Sequence, residues 1–470
     1  MYVSHYNLDY PLKDGKSILF NPLSGAMDLV DKEVIHFLHD IEGGKKGSTD
    51  GGDVVLYLQE RGYVYSHIED EKKKINTLFQ VYQDWSSLVP RNFVLSTTYS
   101  CNLDCKYCFQ GQKRQRYSNA PIYMSDKILD AAFSFMKKIN AEVVTGGKSE
   151  ITIYGGEPLQ KDERHRKIIY KALKLSREMD FRILVITNGT CLKDYMDLLI
   201  EYKVDELQVT LDGPQEVHDR RRPYVLDRLG SFWNIVEGIE LALGNGLVVS
   251  LRFVGDRDNI HSAPDLVKFM KERGWYDKPN FKSHIGRMCC GVTPEYDHQR
   301  LNSKEFTEKL IDIYETDRDV GDKVPSRFVG LDRLFTTGMV YPPLFDACPG
   351  TKLEYALDAV GHIYPCSLGV GMPEFLVGEY YPEIKFYPDK LEKWRKRNVL
   401  NDPKCFKCKV AFLCGGGCPR DALETHGTPH APACRPVIQS LADGIEYYLP
   451  NILALIDGKK MGTAGKGCCP

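Results

Sequence analysis

The sequence predicts an α/β protein built on an incomplete parallel barrel of six β/α units, with a small mixed unit in front and a cysteine-rich unit behind. Two observations carry that expectation. Between Phe93 and about His284, apolar runs of strand length alternate with helical patterns of roughly 12 to 18 residues. Fifteen cysteines then concentrate at tight spacings, most of them after Cys348, where Gly and Pro turns replace long periodic helices. A chain of 470 residues with 43% apolar content supports two or three domains.

Taken in order, residues 1–75 hold short strand-like runs (SILFNP, AMDLVD), an apolar helical stretch (EVIHFLHD) and a second helix-to-strand run, VVLYLQERGYVYS. The polar stretch HIEDEKKK reads as a linker into a helix, INTLFQVYQDW. This first unit resembles the small winged-helix-like domain with which many peptide-modifying enzymes hold a leader peptide. Its plain alternative is a cap on the barrel.

Residues 90–300 form the barrel region, with strands expected at NFVLSTT, EITIY, RILVIT, ELQVTLD, LVVSLRFV and NFKSHI. After the first strand a helix is expected to start at Ser125, with Asp126 in the first turn and Leu129, Ala132, Phe133 and Met136 on one face. Residues 301–344 read as a bridging helical region, 345–440 as the cysteine-rich domain, and 441–470 as a final helix and tail. A domain poor in long helices and rich in thiols is expected to be held by metal.

Net charge is -2 with 27% charged residues, so no basic field points to nucleic acid or a membrane surface. The N-terminus lacks a basic stretch followed by an apolar core, and no apolar run reaches about 18 residues. The expectation is a cytosolic protein whose cysteines ligate metal rather than pair as disulfides.

CNLDCKYC places Cys101, Cys105 and Cys108 directly after the first barrel strand, with Tyr107 before the last. Three ligands suit a 4Fe-4S cluster with one open iron better than structural zinc, which takes four. The motif resembles that of the radical S-adenosylmethionine (radical SAM) superfamily. The resemblance implies that SAM binds the open iron and is reductively cleaved to a 5'-deoxyadenosyl radical that abstracts hydrogen from substrate.

Further motifs follow successive strands, at whose C-terminal ends a parallel barrel keeps its active site. Tyr154-Gly155-Gly156-Glu157-Pro158 ends the second strand and resembles the family's GGE motif, which implies that Gly155, Gly156 and Glu157 bind SAM's ammonium. Read alone, it is a glycine turn with a solvated Glu. The resemblance also implies that Asn188 after the third strand, and Thr210 and Asp212 after the fourth, lie near the ribose or methionine parts of SAM. Asn-Gly and Asp-Gly are equally ordinary turn formers. Arg252 interrupts the fifth strand opposite Leu247, Val249, Leu251 and Phe253, and its charge needs a carboxylate, either SAM's or a barrel acid's. The Arg220-Arg221-Arg222 run reads as a solvated loop or a meeting place for an acidic peptide.

The remaining pattern is Cys348, then GHIYPC ending in Cys366, then Cys405, Cys408, Cys414 and Cys418, and finally Cys434. It resembles the SPASM domain of radical SAM enzymes that modify ribosomal peptides and proteins. The resemblance implies two auxiliary 4Fe-4S clusters, three in all: Cys405, Cys408, Cys414 and Cys434 on the second, and Cys348, Cys366 and Cys418 on the first. Zinc-ribbon spacing is the alternative, although seven cysteines do not divide into tetrahedral sites. Cys191 reads as a buried thiol. Of the pairs Cys289-Cys290 and Cys468-Cys469, at most one member each is a ligand candidate.

The resemblance implies a peptide maturase that installs a crosslink, such as a thioether, in a ribosomal precursor peptide and draws electrons from a flavodoxin or ferredoxin type reductant. Within the superfamily the alternative is an anaerobic sulfatase-maturing enzyme. That family has Asp after the GxxxxC cysteine, where this chain has Ser367. From another class comes an iron-sulfur electron carrier or redox sensor, against which the SAM-cradle motifs speak.

Overall fold

The structure is a computed structural model and describes residues 1–456 apart from 46–51, 111–121, 142, 144–146, 289–294, 325–330, 332, 335–341 and 349. Cys289, Cys290, Cys468 and Cys469 lie outside the described residues.

The N-terminal unit contains β1 (Tyr2–Val3), β2 (Leu8–Pro11), β3 (Lys16–Asn21), β4 (Ala26–Asp31), α1 (Lys32–Glu42), α2 (Gly52–Glu60) and β5 (Val64–Tyr65). β2, β3 and β4 form an antiparallel sheet, and β1 pairs with β5. Alternation along β3 divides its side chains. Leu19 packs with Val30, Leu38 and Tyr63 in the unit's own core, whereas Ile18 and Phe20 enter the main core of the molecule.

The polar stretch expected as a linker is instead the first turn of α3 (Ile68–Leu88). His67 and Asp70 form a reciprocal capping box, and Glu69, Asp70 and Glu71 face the positive end of the helix dipole. Glu71 is buried, where its carboxylate accepts from the Ser4 hydroxyl at 2.5 Å. Charge density that reads as solvated coil is therefore a helix start.

Six parallel strands follow, each where the apolar runs place it: β6 (Asn92–Ser96), β7 (Glu150–Tyr154), β8 (Arg182–Thr187), β9 (Glu206–Thr210), β10 (Val249–Gly255) and β11 (Phe281–Arg287). The helix after β6 spans Asp126–Asn140, with the Ser125 hydroxyl accepting from Ile128 N. It buries the expected Leu129, Ala132, Phe133 and Met136, and also Phe135. Phe135 is covered because Tyr355 and Phe386 from the C-terminal part stack around it.

The sheet does not stop with the barrel. β12 (Glu354–Leu357) adds in parallel to the free edge of β6, and β13 (His362–Tyr364), β14 (Gly378–Glu379) and β15 (Lys385–Phe386) continue antiparallel, giving ten strands. Buried Asp358 ties this junction, accepting from Tyr99 Oη at 2.9 Å and Tyr364 Oη at 3.2 Å. The last described helix, Val437–Ile456, packs on Ser303–Thr316. No described helix is long and apolar enough to cross a membrane.

Candidate active site

Strand register decides what faces the barrel interior. Val94, Thr152, Ile186, Gln208, Thr210 and Arg252 stand on inward positions of neighbouring strands, and Glu354 extends the row through its pairing opposite Asn92. Polar side chains at most of these positions leave the interior open instead of packing it in apolar layers. The result is a cavity of about 320 Å³. Cys101, Cys105 and Cys108 line it from the loop after β6, and Ser367 and Leu368 line it from the C-terminal part.

The loop carrying the three thiols is held from several sides. Gly156 N donates to Thr98 O at 2.9 Å and Glu157 N to Ser100 O at 2.8 Å. A Cβ at Gly156 would stand 2.2 Å from Ser100 O, and Gly155 has φ +147° with a Cβ position 2.6 Å from Thr98 O. Both glycines are therefore required by close backbone approach to the cysteine loop. Asn188 Nδ2 donates to Asn102 Oδ1 at 2.7 Å, and Asn102 Nδ2 to Thr190 Oγ1 at 2.9 Å.

Glu157 is 1% exposed, and its carboxylate accepts from Leu159 N at 2.8 Å, Thr187 Oγ1 at 2.5 Å and Asn188 N at 2.6 Å. Burial pushes it up to about 7 against the pull of those donors. Arg252 points into the cavity, with Gly286 leaving room beside its guanidinium and its Nε unpartnered.

Tyr107, Gly155, Gly156, Glu157, Asn188, Thr210 and Arg252 all line the cavity, as expected. Asp212 does not. It is wholly buried behind Tyr107, whose hydroxyl donates to its Oδ2, while Val254 N donates to its Oδ1 at 3.2 Å. The arginine run corrects a second expectation, because only Arg220 is exposed. Arg221 makes a paired contact with Asp256 at 2.9 and 2.8 Å and lies 4.9 Å from the centre of the Tyr107 ring. Arg222 donates to Tyr107 Oη and lines the cavity.

Two buried guanidinium groups need carboxylates, and Asp212 and Asp256 supply them. His218 completes the support. Asp212 N donates to its Nδ1 at 3.2 Å, so Nε2 carries the proton toward Ser231 Oγ at 3.0 Å, and Ser231 Oγ donates to Arg222 O at 2.8 Å. Burial beside two arginines holds His218 well below the usual imidazole range. The apolar residues that punctuate LDGPQEVHDRRR were the signal for burial.

The other described cysteines separate as follows. Cys348, Cys366 and Cys418 lie close enough for their charges to act on one another, and so do Cys405, Cys414 and Cys434, with Cys408 one turn after Cys405. Burial pushes the Cys348 and Cys405 thiols up to about 12. Gly415, Gly416 and Gly417 all have positive φ, and a Cβ at Gly417 would meet Ala433 O at 2.2 Å. That left-handed run carries the chain from Cys414 in one group to Cys418 in the other. Arg397 braces it by donating to Gly417 O at 2.8 Å and Asp346 Oδ1 at 2.6 Å. Cys191 is buried, and burial raises its thiol to about 11, as suits an inert core residue. Among the described residues no three His, Cys, Asp or Glu side chains stand at single-ion spacing.

Three thiols lining the cavity, glycine backbone where a Cβ would collide, and guanidinium Nε atoms on Arg222 and Arg252 without partners among the described residues suit a thiolate-held cluster beside an anionic organic ligand. That defines an enzyme of cluster-based chemistry. Residues 95–270 match the model of the Radical SAM superfamily, so the chain carries a radical SAM domain. Its domain implies a 4Fe-4S cluster and SAM.

The chain is 21% identical over 444 residues to the radical SAM cyclopropyl synthase TigE of Paramaledivibacter caminithermalis, covering 86% of this chain and 87% of that protein. It is 24% identical over 384 residues to a cysteine-type anaerobic sulfatase-maturating enzyme of Clostridium perfringens, covering 77% and 96%. Among solved structures, anSMEcpe with bound AdoMet aligns with TM-score 0.60 at 20% identity over 79% of this chain and 96% of that one. Streptococcus suis SuiB bound to precursor peptide SuiA aligns with TM-score 0.53 at 14% identity over 93% and 99%. These likenesses are of fold.

Proposed function

We propose that the chain is a peptide maturase that installs a crosslink, most simply a sulfur-to-carbon thioether, in a ribosomally made precursor peptide. The observation that carries this reading is the cavity itself, which joins the three-thiol loop to Ser367, the neighbour of Cys366. A substrate held there reaches both the radical source and the first auxiliary cysteine group. Relatives of both maturase kinds share the architecture, and Ser367 in place of a carboxylate favours crosslinking over formylglycine formation.

In this reading Cys101, Cys105 and Cys108 hold the SAM-binding cluster, with Tyr107, Gly155, Gly156, Glu157, Asn188, Thr210 and Arg252 around SAM. When bound, the cluster and SAM supply a 5'-deoxyadenosyl radical. Arg252 offers its guanidinium to an anionic group of the ligand, and Glu157, saturated by donors, fixes the backbone on which the ligand rests. Asp212, Tyr107, Arg221 and Arg222 hold the cavity wall in place. Cys405, Cys408, Cys414 and Cys434 hold one auxiliary cluster. Cys348, Cys366 and Cys418 would hold the other. Residues 1–75 engage the leader, and a flavodoxin or ferredoxin type protein supplies electrons.

The test is anaerobic reconstitution followed by reaction with SAM, a reductant and synthetic peptides from the small open reading frames beside the gene. About 12 iron and 12 sulfide are expected per chain. A peptide lighter by one pair of hydrogens and resistant to thiol alkylation supports crosslinking. An aldehyde supports sulfatase-type maturation. No 5'-deoxyadenosine with any peptide would return the carrier or sensor reading.

A further inference from the structure

We propose that the exposed turn at residues 224–229 is the docking surface for the small one-electron carrier protein that reduces this enzyme. The inference rests on the radical SAM reading and deepens it by locating where the electron enters, whichever bond is formed afterwards.

The cysteine loop has two faces. Its thiols line the cavity, whereas the backbone between Cys101 and Cys105 is bonded to a second stretch of chain. Val225 N donates to Asn102 O at 3.0 Å, Asp104 N donates to Pro223 O at 2.9 Å, and Leu103 bridges Tyr224 in antiparallel fashion. Residues 223–225 thus lie along the cysteine loop as a short antiparallel ribbon. Leu103 is fully buried, and its N–H donates to Cys101 Sγ at 3.5 Å. A single residue therefore joins the ribbon to a thiol of the loop.

The turn beyond the ribbon is closed and held. Tyr224 N donates to Leu229 O at 3.0 Å, Leu229 N donates to Asp227 Oδ1 at 3.0 Å, and Arg228 pairs with Asp104 at 2.5 Å. Arg228 takes φ +61°, which a residue other than glycine seldom adopts. A Cβ at Gly230 would stand 2.1 Å from Asp219 Oδ2, so the exit from the turn is fixed too. This well-braced turn nonetheless shows apolar side chains to solvent: Leu226 is 97% exposed, Leu229 63% and Val225 45%. A lone exposed leucine is ordinary, but three apolar residues in one closed turn form a patch suited to a partner.

What lies under the patch selects that partner. A substrate peptide has to reach the cavity, and none of the three apolar residues lines it. An electron has to reach the cysteine loop, and the turn is its neighbour. Reductive cleavage needs one electron from outside. The carrier loses it, the enzyme gains it, and the bond between sulfur and the 5' carbon of SAM breaks to give methionine and the adenosyl radical. Beside the ribbon, Asn102, Tyr224, Lys161 and Lys193 line a cleft of about 450 Å³, and Lys106 is exposed within the loop itself. These ammonium groups suit a carrier with carboxylates around its redox centre. Asp194 and Glu237 pair with Lys161 and Lys193, so the apolar turn carries the contact and salt should weaken it only modestly.

The test uses the reconstituted enzyme and a recombinant bacterial flavodoxin, comparing wild type with Leu226→Glu and Leu226→Ala. Leu226 is exposed, so both variants should fold, which thermal unfolding checks. With wild type, added flavodoxin is expected to slow hydrogen exchange at residues 102–104 and 223–229. Leu226→Glu should bind it about 10-fold more weakly by interferometry, and Leu226→Ala should fall between. Formation of 5'-deoxyadenosine driven by reduced flavodoxin should drop about 10-fold in Leu226→Glu, while formation driven by dithionite stays within about twofold.

Equal losses with both electron sources would show that the turn only supports the cysteine loop, and would overturn the proposal. So would no loss with either source, or slowed exchange elsewhere on the chain. A wild type that sediments as a dimer, with Leu226→Glu a monomer, would give the patch to a second copy and overturn it as well. Wild type that cleaves no SAM with dithionite would defeat the radical reading. Cleavage with dithionite while residues 223–229 stay unprotected would defeat the docking site alone.

Discussion

The barrel cavity is lined by two glutamates raised to about 7, Glu157 buried and Glu354 partly exposed, and they are held in opposite ways. Glu157, beside the cysteine loop, is fastened by a hydroxyl and two backbone amides. Glu354, on the side of Cys366, is raised by burial and by the repulsion of Glu150. The same shift thus accompanies two designs. At the cysteine end burial works against a full set of donors, so the carboxylate is architecture. At the other end burial works with a like charge, so the raised carboxylate there has no set of donors to offset it.

The widest separation between the ends should come from the cysteines. Replacing Cys101, Cys105 and Cys108 together by Ala is expected to abolish 5'-deoxyadenosine formation and remove about a third of the iron, if three four-iron clusters bind. Iron analysis and chromatography of the reaction check both. Cleavage that survives would break the assignment of this end as the radical source. Cys289→Ala and Cys290→Ala, by contrast, should keep full iron content and peptide modification.

The wall behind the cysteine end should be the next most sensitive. Asp212→Asn leaves Arg221 and Arg222 buried with one carboxylate fewer, and removing one partner of such a group costs about 3–5 kcal/mol. Thermal unfolding of the reconstituted protein would register it. A change under about 1 kcal/mol would mean that Asp256 and Tyr107 compensate.

The glutamates then allow the same substitution to be read in opposite directions. For both, the folded value lies above the unfolded value of about 4.3, so the stability each contributes is complete below about 4.3 and is lost as pH rises through about 7. At pH 8, Glu354→Gln removes a poorly placed charge and should stabilise the fold by up to about 2 kcal/mol, while flattening its pH dependence between about 4.5 and 7. Glu157→Gln turns an NH₂ group toward bound donors and should destabilise by about 1–3 kcal/mol. Denaturant titrations at pH 5 and pH 8 decide it. Equal signs at pH 8 would dissolve the contrast between the ends.

These distinctions were unevenly legible beforehand. The six strands and the cysteine loop could be read because alternation and spacing are local properties of the chain. The sorting of the later cysteines came from family resemblance, because sequence spacing alone does not say which thiols share a site. Arg221 and Arg222 misled because charge is ordinarily solvated, and it is Asp212, Asp256 and Tyr107, brought together only by the fold, that make their burial tolerable. HIEDEKKK misled in the same way, since the burial of Glu71 in its helix is met by Ser4 from the far side of the unit. Glu354 was invisible because the inward face of a four-residue strand is defined only once β12 pairs with β6, some 260 positions earlier in the chain.

The smallest expected effect lies where the N-terminal unit touches the C-terminal cysteine groups. Tyr6 Oη donates to Phe406 O at 3.3 Å and His5 Nε2 to Lys407 O at 3.0 Å, both carbonyls lying between Cys405 and Cys408. The Tyr6 ring also packs edge-on against Phe412, 4.7 Å between centres. Together with Ile18 and Phe20 in the main core, these contacts make deletion of residues 1–75 a poor test of leader binding, since it would strip partners from two buried clusters. Tyr6→Phe is gentler: it keeps the ring and loses one hydrogen bond, worth about 0.5–1.5 kcal/mol. The loss should appear as faster hydrogen exchange at the amides of residues 405–408, with the barrel amides unaffected. Faster exchange throughout the barrel would instead show that this junction supports the whole fold.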